Sequence, residues 1–261
     1  MSRTNGNGGA ALMEPGARHA GRKTVRSSGV RSRQRRRIDR FFRENGLSFA
    51  AFGLFLLCLV GQVATGAREY NEDQREHGRP TVGTAEYLRS GHFLEGTFEN
   101  WESEFLQMAA FVLLTVRLRQ KGSPESKDLI REREVDEDPR DARRSPHRWA
   151  KAPWPVRRGG LALRIYEHSL SLTLGLLFLL SFVVHAIGGA SEYSQEQLSH
   201  GGQAVSTLGY VGTSRFWFES FQNWQSEFLA VGMLFVLTIF LRERGSPQSK
   251  PVAAAHGETG G

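Results

Sequence analysis

Two long uncharged segments constrain the fold more than any other feature of the sequence. Residues 47–66 and 170–189 each run for twenty residues without a charged side chain. About twenty apolar residues, at roughly 1.5 Å of rise per residue, cross a hydrocarbon core about 30 Å thick. A core helix of a soluble protein would carry a polar stripe, and neither segment has one. The sequence therefore predicts two transmembrane helices here.

Two shorter apolar runs, residues 105–116 and 228–241, each end at basic side chains. They are too short to span alone, but an aromatic-rich stretch precedes each and could supply the missing turns. We therefore expect further spans at about residues 100–119 and 223–242, which makes four in all.

An internal repeat relates the two halves of the chain. Residues 44–127 align with residues 167–250 without a gap at an offset of 123, with 35 identities in 84 positions. The densest match is F-x-N-W-x-S-E-F-L at residues 98–106 and 221–229. The sequence predicts a duplicated unit of a long hydrophobic helix, a loop and a second membrane helix.

The predicted fold class is all-α, an integral membrane protein with four transmembrane helices in two parallel helix-loop-helix repeats. Composition favours a disordered N-terminal tail and a loosely ordered, charged linker. The predicted boundaries begin with a basic, disordered cytoplasmic tail at 1–40 and end with a disordered cytoplasmic tail at 246–261. Membrane repeat 1 covers 41–122, with spans at 47–66 and 100–119 and an outer loop at 67–99. A cytoplasmic linker at 123–160 leads to membrane repeat 2 at 161–245, with spans at 170–189 and 223–242 and an outer loop at 190–222.

The positive charge is concentrated at one end. The chain has a net charge of +7, but residues 1–43 carry twelve Lys and Arg against two acidic residues, so the rest of the chain stands at −3. Basic residues flank all four predicted spans on one side, and the positive-inside rule then places both termini and the linker in the cytoplasm. We expect a multi-pass membrane protein with both long loops outside.

The expected partners follow from this placement. The lipid bilayer surrounds the spans, and the basic tail attracts anionic lipids. Small residues such as Gly53 and Gly61 would permit close helix packing, within one chain or in a homo-oligomer. No nucleic acid is expected, because the basic tail lacks interleaved aromatic residues and any known binding fold signature.

A cleavable signal peptide is the competing interpretation of the first span. It would need a shorter preceding segment and a shorter apolar run. Here 46 residues precede an apolar run of twenty, and the matching segment at 170–189 is internal. We therefore expect the first span to stay in the protein.

A candidate polar layer follows from depth along the predicted spans. Counting the helical rise from the cytoplasmic ends places Gln62 level with Glu104, and His185 level with Glu227. An asparagine lies one turn from each glutamate. The layer comprises Gln62, Asn100, Glu104, His185, Asn223 and Glu227.

Two interpretations of this layer stay open. Ionisable residues inside a membrane are costly and mark ion or proton paths, and a histidine between carboxylates can carry a proton near neutral pH. Alternatively, Ser103 and Ser226 cap the second helix of each repeat, and the glutamates lie in the first turn among the lipid headgroups. Trp101 and Trp224 would then belong to an interfacial aromatic belt.

The outer loops offer a weaker candidate site. His77 and His200 recur at matched positions, and a pseudo-two-fold axis could pair them around a metal ion. One histidine followed by glycine is more often a turn, so no metal is expected. No cofactor, catalytic residue or enzymatic activity is expected either, because no phosphate loop, nucleophile elbow or zinc-protease helix is present.

The motifs resemble those of a known but uncharacterised family. The segments RFFRENGLS, YNEDQREHG, FENWESEFLQM, FQNWQSEFLAVG and LRERGSPQSKP resemble a family of bacterial multi-pass membrane proteins that share a domain of unknown function. The resemblance covers about residues 38–250 and implies a multi-pass protein of the bacterial inner membrane, without a substrate or cofactor. The favoured function is a structural or interaction role in the cell membrane, and the alternative is a small-ion or proton conductor that uses the outer-leaflet carboxylates.

Overall fold

The computed structural model describes residues 40–128 and 134–259. Within these ranges the chain is helical and contains no strand. The predicted N-terminal tail at 1–40, with its proposed anionic lipids, lies outside the described residues apart from residue 40.

The helices are long near the predicted spans and short elsewhere. The linker region holds two short 3-10 helices, Glu134–Asp136 and Pro139–Arg144, ahead of α4. The α-helices are α1 (Gly46–Glu76), α2 (Thr84–Tyr87), α3 (Gly91–Arg117), α4 (Pro146–Lys151), α5 (Trp154–Arg158), α6 (Gly160–Glu167), α7 (Ser169–Ser199), α8 (Thr207–Val211) and α9 (Ser214–Phe240).

The chain divides into two compact units, one ending at Gly61 and the other running from Gln62 to Gly261. In the described part of the first unit, the rings of Phe41 and Phe42 pack on Phe49, and the residues are largely exposed. The second unit holds the end of α1 and all the later helices.

The helix bounds recur at the offset of the sequence repeat. Both ends of α7 lie 123 residues after those of α1, and both ends of α9 lie 123 residues after those of α3. α1 extends ten residues beyond the predicted first span, and α7 extends ten residues beyond the predicted third span. Much of each predicted outer loop is therefore helical.

The second long helix of each half begins earlier than the capping hypothesis placed it. The side chains of Ser90 and Thr213 accept hydrogen bonds from the backbone N–H groups three residues on, and so cap α3 and α9. Ser103 and Ser226 lie inside these helices, where their hydroxyls donate to backbone carbonyls of the preceding turn. The prediction that they cap the helices is therefore wrong.

Three described helices, α1, α7 and α9, are long and apolar enough to cross a membrane. The prediction of four such spans is wrong for α3. Glutamates at positions 95, 99, 102 and 104 interrupt its apolar sequence, whereas the first three of these positions match Phe218, Gln222 and Gln225 in α9.

α3 and α7 make the closest helix contact in the described chain. A Cβ added to Gly91 would lie 2.7 Å from the carbonyl oxygen of Gly188, and one added to Gly188 would lie 2.7 Å from the backbone nitrogen of Glu95. Small residues allow helix backbones to approach this closely. The contact fixes one helix against the other and determines which side chains of α3 face α7.

Tyrosines from the short helices pack on glycines of the long ones in both halves. The ring of Tyr87 covers Gly66, and the ring of Tyr210 covers Gly189, each at a distance that leaves no room for a Cβ. Tyr210 is fully buried, and this contact carries its hydroxyl into the space between α3, α7 and α9.

Candidate functional site

A fully buried ion pair joins α3 to α7. Nδ1 of His185 lies 2.8 Å from Oε2 of Glu102, and neither side chain is exposed. The indole Nε1 of Trp224 donates to the other oxygen of Glu102 at 3.0 Å. Both carboxylate oxygens are thus engaged, as a buried charge requires.

The second ring nitrogen of His185 points towards another carboxylate. Its Nε2 lies 3.9 Å from Oε2 of Glu219, which is an ion-pair distance but too long for a hydrogen bond. This nitrogen is buried and has no hydrogen-bond partner in the described structure. His185 therefore lies between Glu102 on α3 and Glu219 on α9, with one nitrogen bonded and one not.

Tyr210 links Glu219 to a third carboxyl group. Its hydroxyl lies 3.1 Å from Oε1 of Glu95 and also contacts Oε2 of Glu219. A tyrosine hydroxyl has one hydrogen and can donate to one carboxylate only. The other contact becomes a hydrogen bond only if that carboxyl group is protonated and donates to the tyrosine oxygen. The arrangement is therefore satisfied when the two glutamates together hold one proton.

Electrostatics place that proton on Glu95. Burial and the neighbouring charge of Glu219 raise the pKa of Glu95 to about 7, against the opposing effects of Tyr210 and Arg215. Nε of Arg215 donates to Glu219 at 2.8 Å and stabilises its ionised form. Glu95 lies on α3 ahead of the apolar half of that helix, and its side chain is largely buried.

A fourth carboxyl group completes the arrangement. The amide nitrogen of Asn223 donates to Oε1 of half-buried Glu99. We call the five residues Glu95, Glu99, Glu102, His185 and Glu219 the Glu–His cluster. With Arg215 and a protonated histidine as the only cations in contact with it among the described residues, full ionisation would leave two negative charges uncompensated. Proton binding relieves this repulsion.

A cavity of about 370 Å³ opens onto this cluster. Its wall includes Glu95, Glu99 and Glu219 together with Gln62. A second cavity of about 420 Å³ lies beside it towards the loops, and both are lined by Glu69, His92 and Arg215. Together they form a polar, solvent-accessible approach from the loop side.

The predicted polar layer is divided by the structure. His185 belongs to the Glu–His cluster and Asn223 donates to its Glu99, whereas Gln62 donates to Thr97 at 3.1 Å and borders the cavity. Asn100 bonds within its own helix and is exposed, as is Glu104. Glu227 is partly exposed. The histidine therefore pairs with Glu102 and not with either predicted glutamate.

The aromatic candidates differ in role. Trp101 is half-buried beside Phe98, with ring centroids 5.0 Å apart. Trp224 donates to the buried pair, so it does more than mark an interface.

The loop histidines terminate helices. Nδ1 of His77 donates to the carbonyl of Asp73, and Nδ1 of His200 to that of Glu196, in their own last turns. The glycines that follow them adopt positive φ, as at many helix ends. Both histidines line the loop-side cavity, yet the described residues contain no group of three side chains suited to hold a metal ion.

Sequence reasoning missed four of the five cluster residues. Glu95, Glu99 and Glu102 follow an i, i+4, i+7 spacing, which puts them on one helix face, and that spacing could have revealed them. Arg215 and Glu219 show the matching i, i+4 signal on α9.

Comparison with known proteins places the chain in a family. Residues 38–261 match the family described as Domain of unknown function (DUF6766). The chain belongs to this family. The DUF6766 match covers the Glu–His cluster and both cavities, and it assigns them no activity. No curated protein and no solved structure matches the chain.

Proposed function

We propose that this chain is a multi-pass membrane protein that binds protons at the Glu–His cluster and takes them up from the loop side. The observation that carries the proposal is the single hydroxyl hydrogen of Tyr210 between Glu95 and Glu219. This geometry is stable with one shared proton, and the pKa of Glu95, about 7, lets that proton exchange near neutral pH.

The access of water to the Glu–His cluster supports the same proposal. The cavity beside the cluster gives water a route to Glu95 and Glu219. From there His185 can carry a proton between Glu219 and Glu102, because one ring nitrogen faces each carboxylate. An imidazole that receives a proton at one ring nitrogen and then gives up the proton of the other nitrogen is a standard proton relay.

The apolar parts of α3, α7 and α9 offer no proton path towards the side opposite the loops. No ionisable residue occurs at 105–116 of α3, 169–184 of α7 or 228–240 of α9. A proton bound at the cluster therefore has no side-chain relay onward, and transfer to the other side would need a change of conformation. This favours a proton-coupled transporter or sensor over an open channel.

The topology completes the proposal. α1, α7 and α9 cross the membrane, whereas α3 is packed against α7 with its carboxylates at 95 and 102 covered by neighbouring helices. The basic flanks of the spans favour an orientation with both termini in the cytoplasm of a bacterial cell and the loop-side cavity outside. The two halves then run in parallel, related by the offset of 123 residues.

Infrared difference spectroscopy of the full chain in liposomes tests the proton site. We expect a protonated-carboxyl band that titrates with a midpoint near pH 7 and disappears in Glu95→Gln. Glu104→Gln is the matched control, since it makes the same substitution at an exposed position of the same helix. A band that is absent from the wild type, or unchanged in Glu95→Gln, would overturn the proposal.

Proton movement is tested separately with a pH-sensitive dye inside the same liposomes. An imposed gradient should drive proton uptake in the wild type, and Glu95→Gln should reduce it at least tenfold, while Glu104→Gln should not. If the carboxyl band titrates as expected but no variant changes the flux, the site binds protons without transporting them, and the transporter part of the proposal fails.

A structural or interaction role is the second candidate. The close contact between Gly91 and Gly188 and the bonds from Glu102 to α7 and α9 hold three helices together. Polar side chains often bond helices within membranes in this way. Only this candidate predicts that the wild type carries no proton flux, whereas Glu102→Gln should loosen the fold under either candidate.

A further inference from the structure

The basic, aromatic segment that leads into α7 carries an inference about a different partner. Residues 145–166 include five Lys and Arg and no Asp or Glu. Lys151, Arg157 and Arg164 are exposed, and none has a carboxylate partner in the parts of the chain that the structure describes. The segment therefore presents uncompensated positive charge.

Large apolar side chains are exposed among these charges. Trp154 is 57% exposed, Leu161 72% and Ile165 52%. Leu161 and Ile165 are four residues apart on α6 and share one face, while Leu163 is buried on the other side. An exposed apolar face beside basic residues is the pattern of a helix at a membrane interface.

The position of the segment limits what can cover it. α6 ends at Glu167 and α7, which is apolar enough to span a membrane, begins at Ser169. Only His168 lies between them, and one residue of chain cannot carry α6 away from the surface where α7 enters the bilayer. The guanidinium of Arg158 lies 5.0 Å from the ring centroid of Trp154. A cation and an aromatic side chain of the kind that anchors proteins at a membrane interface are therefore in contact.

We propose that α5 and α6 bind the headgroups of anionic phospholipids, with Arg157 and Arg158 at the phosphates and with Trp154, Leu161 and Ile165 in the upper acyl region. This inference rests on α7 lying in a membrane and is independent of proton binding at the Glu–His cluster. It adds a lipid contact distinct from that of the N-terminal tail. Charge complementarity selects anionic over zwitterionic lipids.

Quenching by brominated lipids tests the proposal on the full chain in nanodiscs. The difference in fluorescence between the wild type and Trp154→Phe isolates Trp154. Brominated phosphatidylglycerol should quench this signal more strongly than brominated phosphatidylcholine at the same mole fraction. R157Q/R158Q should lower the preference by roughly fivefold per charge removed. Both arginines are exposed, so we expect this variant to fold.

The matched control removes two other arginine charges, which lie in the neighbouring segment. Arg140 and Arg144 face Asp138 and Asp141 at 3.6 Å and 3.3 Å, so R140Q/R144Q should leave the preference unchanged. Equal quenching by both lipids, or none by either, would overturn the proposal. The carboxyl infrared band of R157Q/R158Q should match that of the wild type, so failure here is distinguishable from failure of the proton site.

Discussion

Glu102 and His185 form an ion pair whose side chains are both fully buried, with Oε2 and Nδ1 2.8 Å apart. Neither residue has an ionisable counterpart at the matched position of the other half, where Gln225 and Gln62 stand. The pair is therefore a feature of the contact between α3 and α7 and is absent at the equivalent positions of α1 and α9.

Removing one member of this pair should destabilise the fold strongly. Glu102→Gln or His185→Gln leaves a buried group without its charged partner, which costs about 3–5 kcal/mol. The free energy of unfolding of the double variant should fall by less than the sum of the two single losses, because neither buried charge is left without a partner. Unfolding in detergent, followed by circular dichroism, measures all three. Strict additivity would show that the two groups do not interact.

The pH dependence of stability should report Glu95. The pKa of this carboxyl group is raised to about 7, so between about pH 4.5 and 7 the folded state holds a proton that the unfolded state has lost. Stability therefore falls as pH rises through this window, by about 3 kcal/mol in total, and stays low above it.

Glu95→Gln should flatten this dependence and leave the protein more stable than the wild type at pH 8. Its amide nitrogen can donate to the hydroxyl oxygen of Tyr210 in place of the protonated carboxyl group, so the packing is preserved. Glu86→Gln, at an exposed position of α2, should keep the wild-type profile. Thermal melting from pH 5 to pH 8 provides the comparison, and parallel curves for wild type and Glu95→Gln would contradict the assignment.

Hydropathy and the repeat predicted the helical fold well, because burial in a membrane demands long apolar helices wherever they occur. They predicted the site poorly for two reasons. Depth along a helix gives a level but not a face, and Glu102 lies about 200° around α3 from Glu104 at roughly 100° per residue. The repeat also carries no signal at Glu95, Glu99 and Glu102, since these positions are Phe218, Gln222 and Gln225 in the other half.

The contact between α3 and α7 should tolerate no side chain at its closest point. Gly188→Ala places a methyl group 2.7 Å from a backbone nitrogen, so the helices must separate, and we expect a loss of stability of about 1–3 kcal/mol. Gly175→Ala is the matched control on the same helix, where a Cβ meets nothing within 4 Å. There the change should be neutral or slightly stabilising, because alanine favours helix more than glycine. Equal melting temperatures for the two variants would show that the contact contributes nothing.

Lys250 should hold the C-terminal segment in place. The residue is 1% exposed, and its ammonium donates to the backbone carbonyls of Ala255, His256 and Glu258 at 3.2, 2.9 and 3.0 Å. These charge-assisted bonds close residues 251–259 into a loop around the lysine. The matched residue of the first half, Lys127, pairs with Asp136 instead.

Lys250→Gln should therefore free the segment while Lys127→Gln should not. Each bond from a charged donor contributes about 1.5–3 kcal/mol, and an amide can replace only part of this set. We expect carboxypeptidase to trim the Lys250→Gln chain at least tenfold faster than the wild type, as followed by intact mass. Lys127→Gln should be trimmed at the wild-type rate, because its ion pair lies outside the loop. Equal trimming of both variants would mean that the loop is held by contacts other than the buried ammonium.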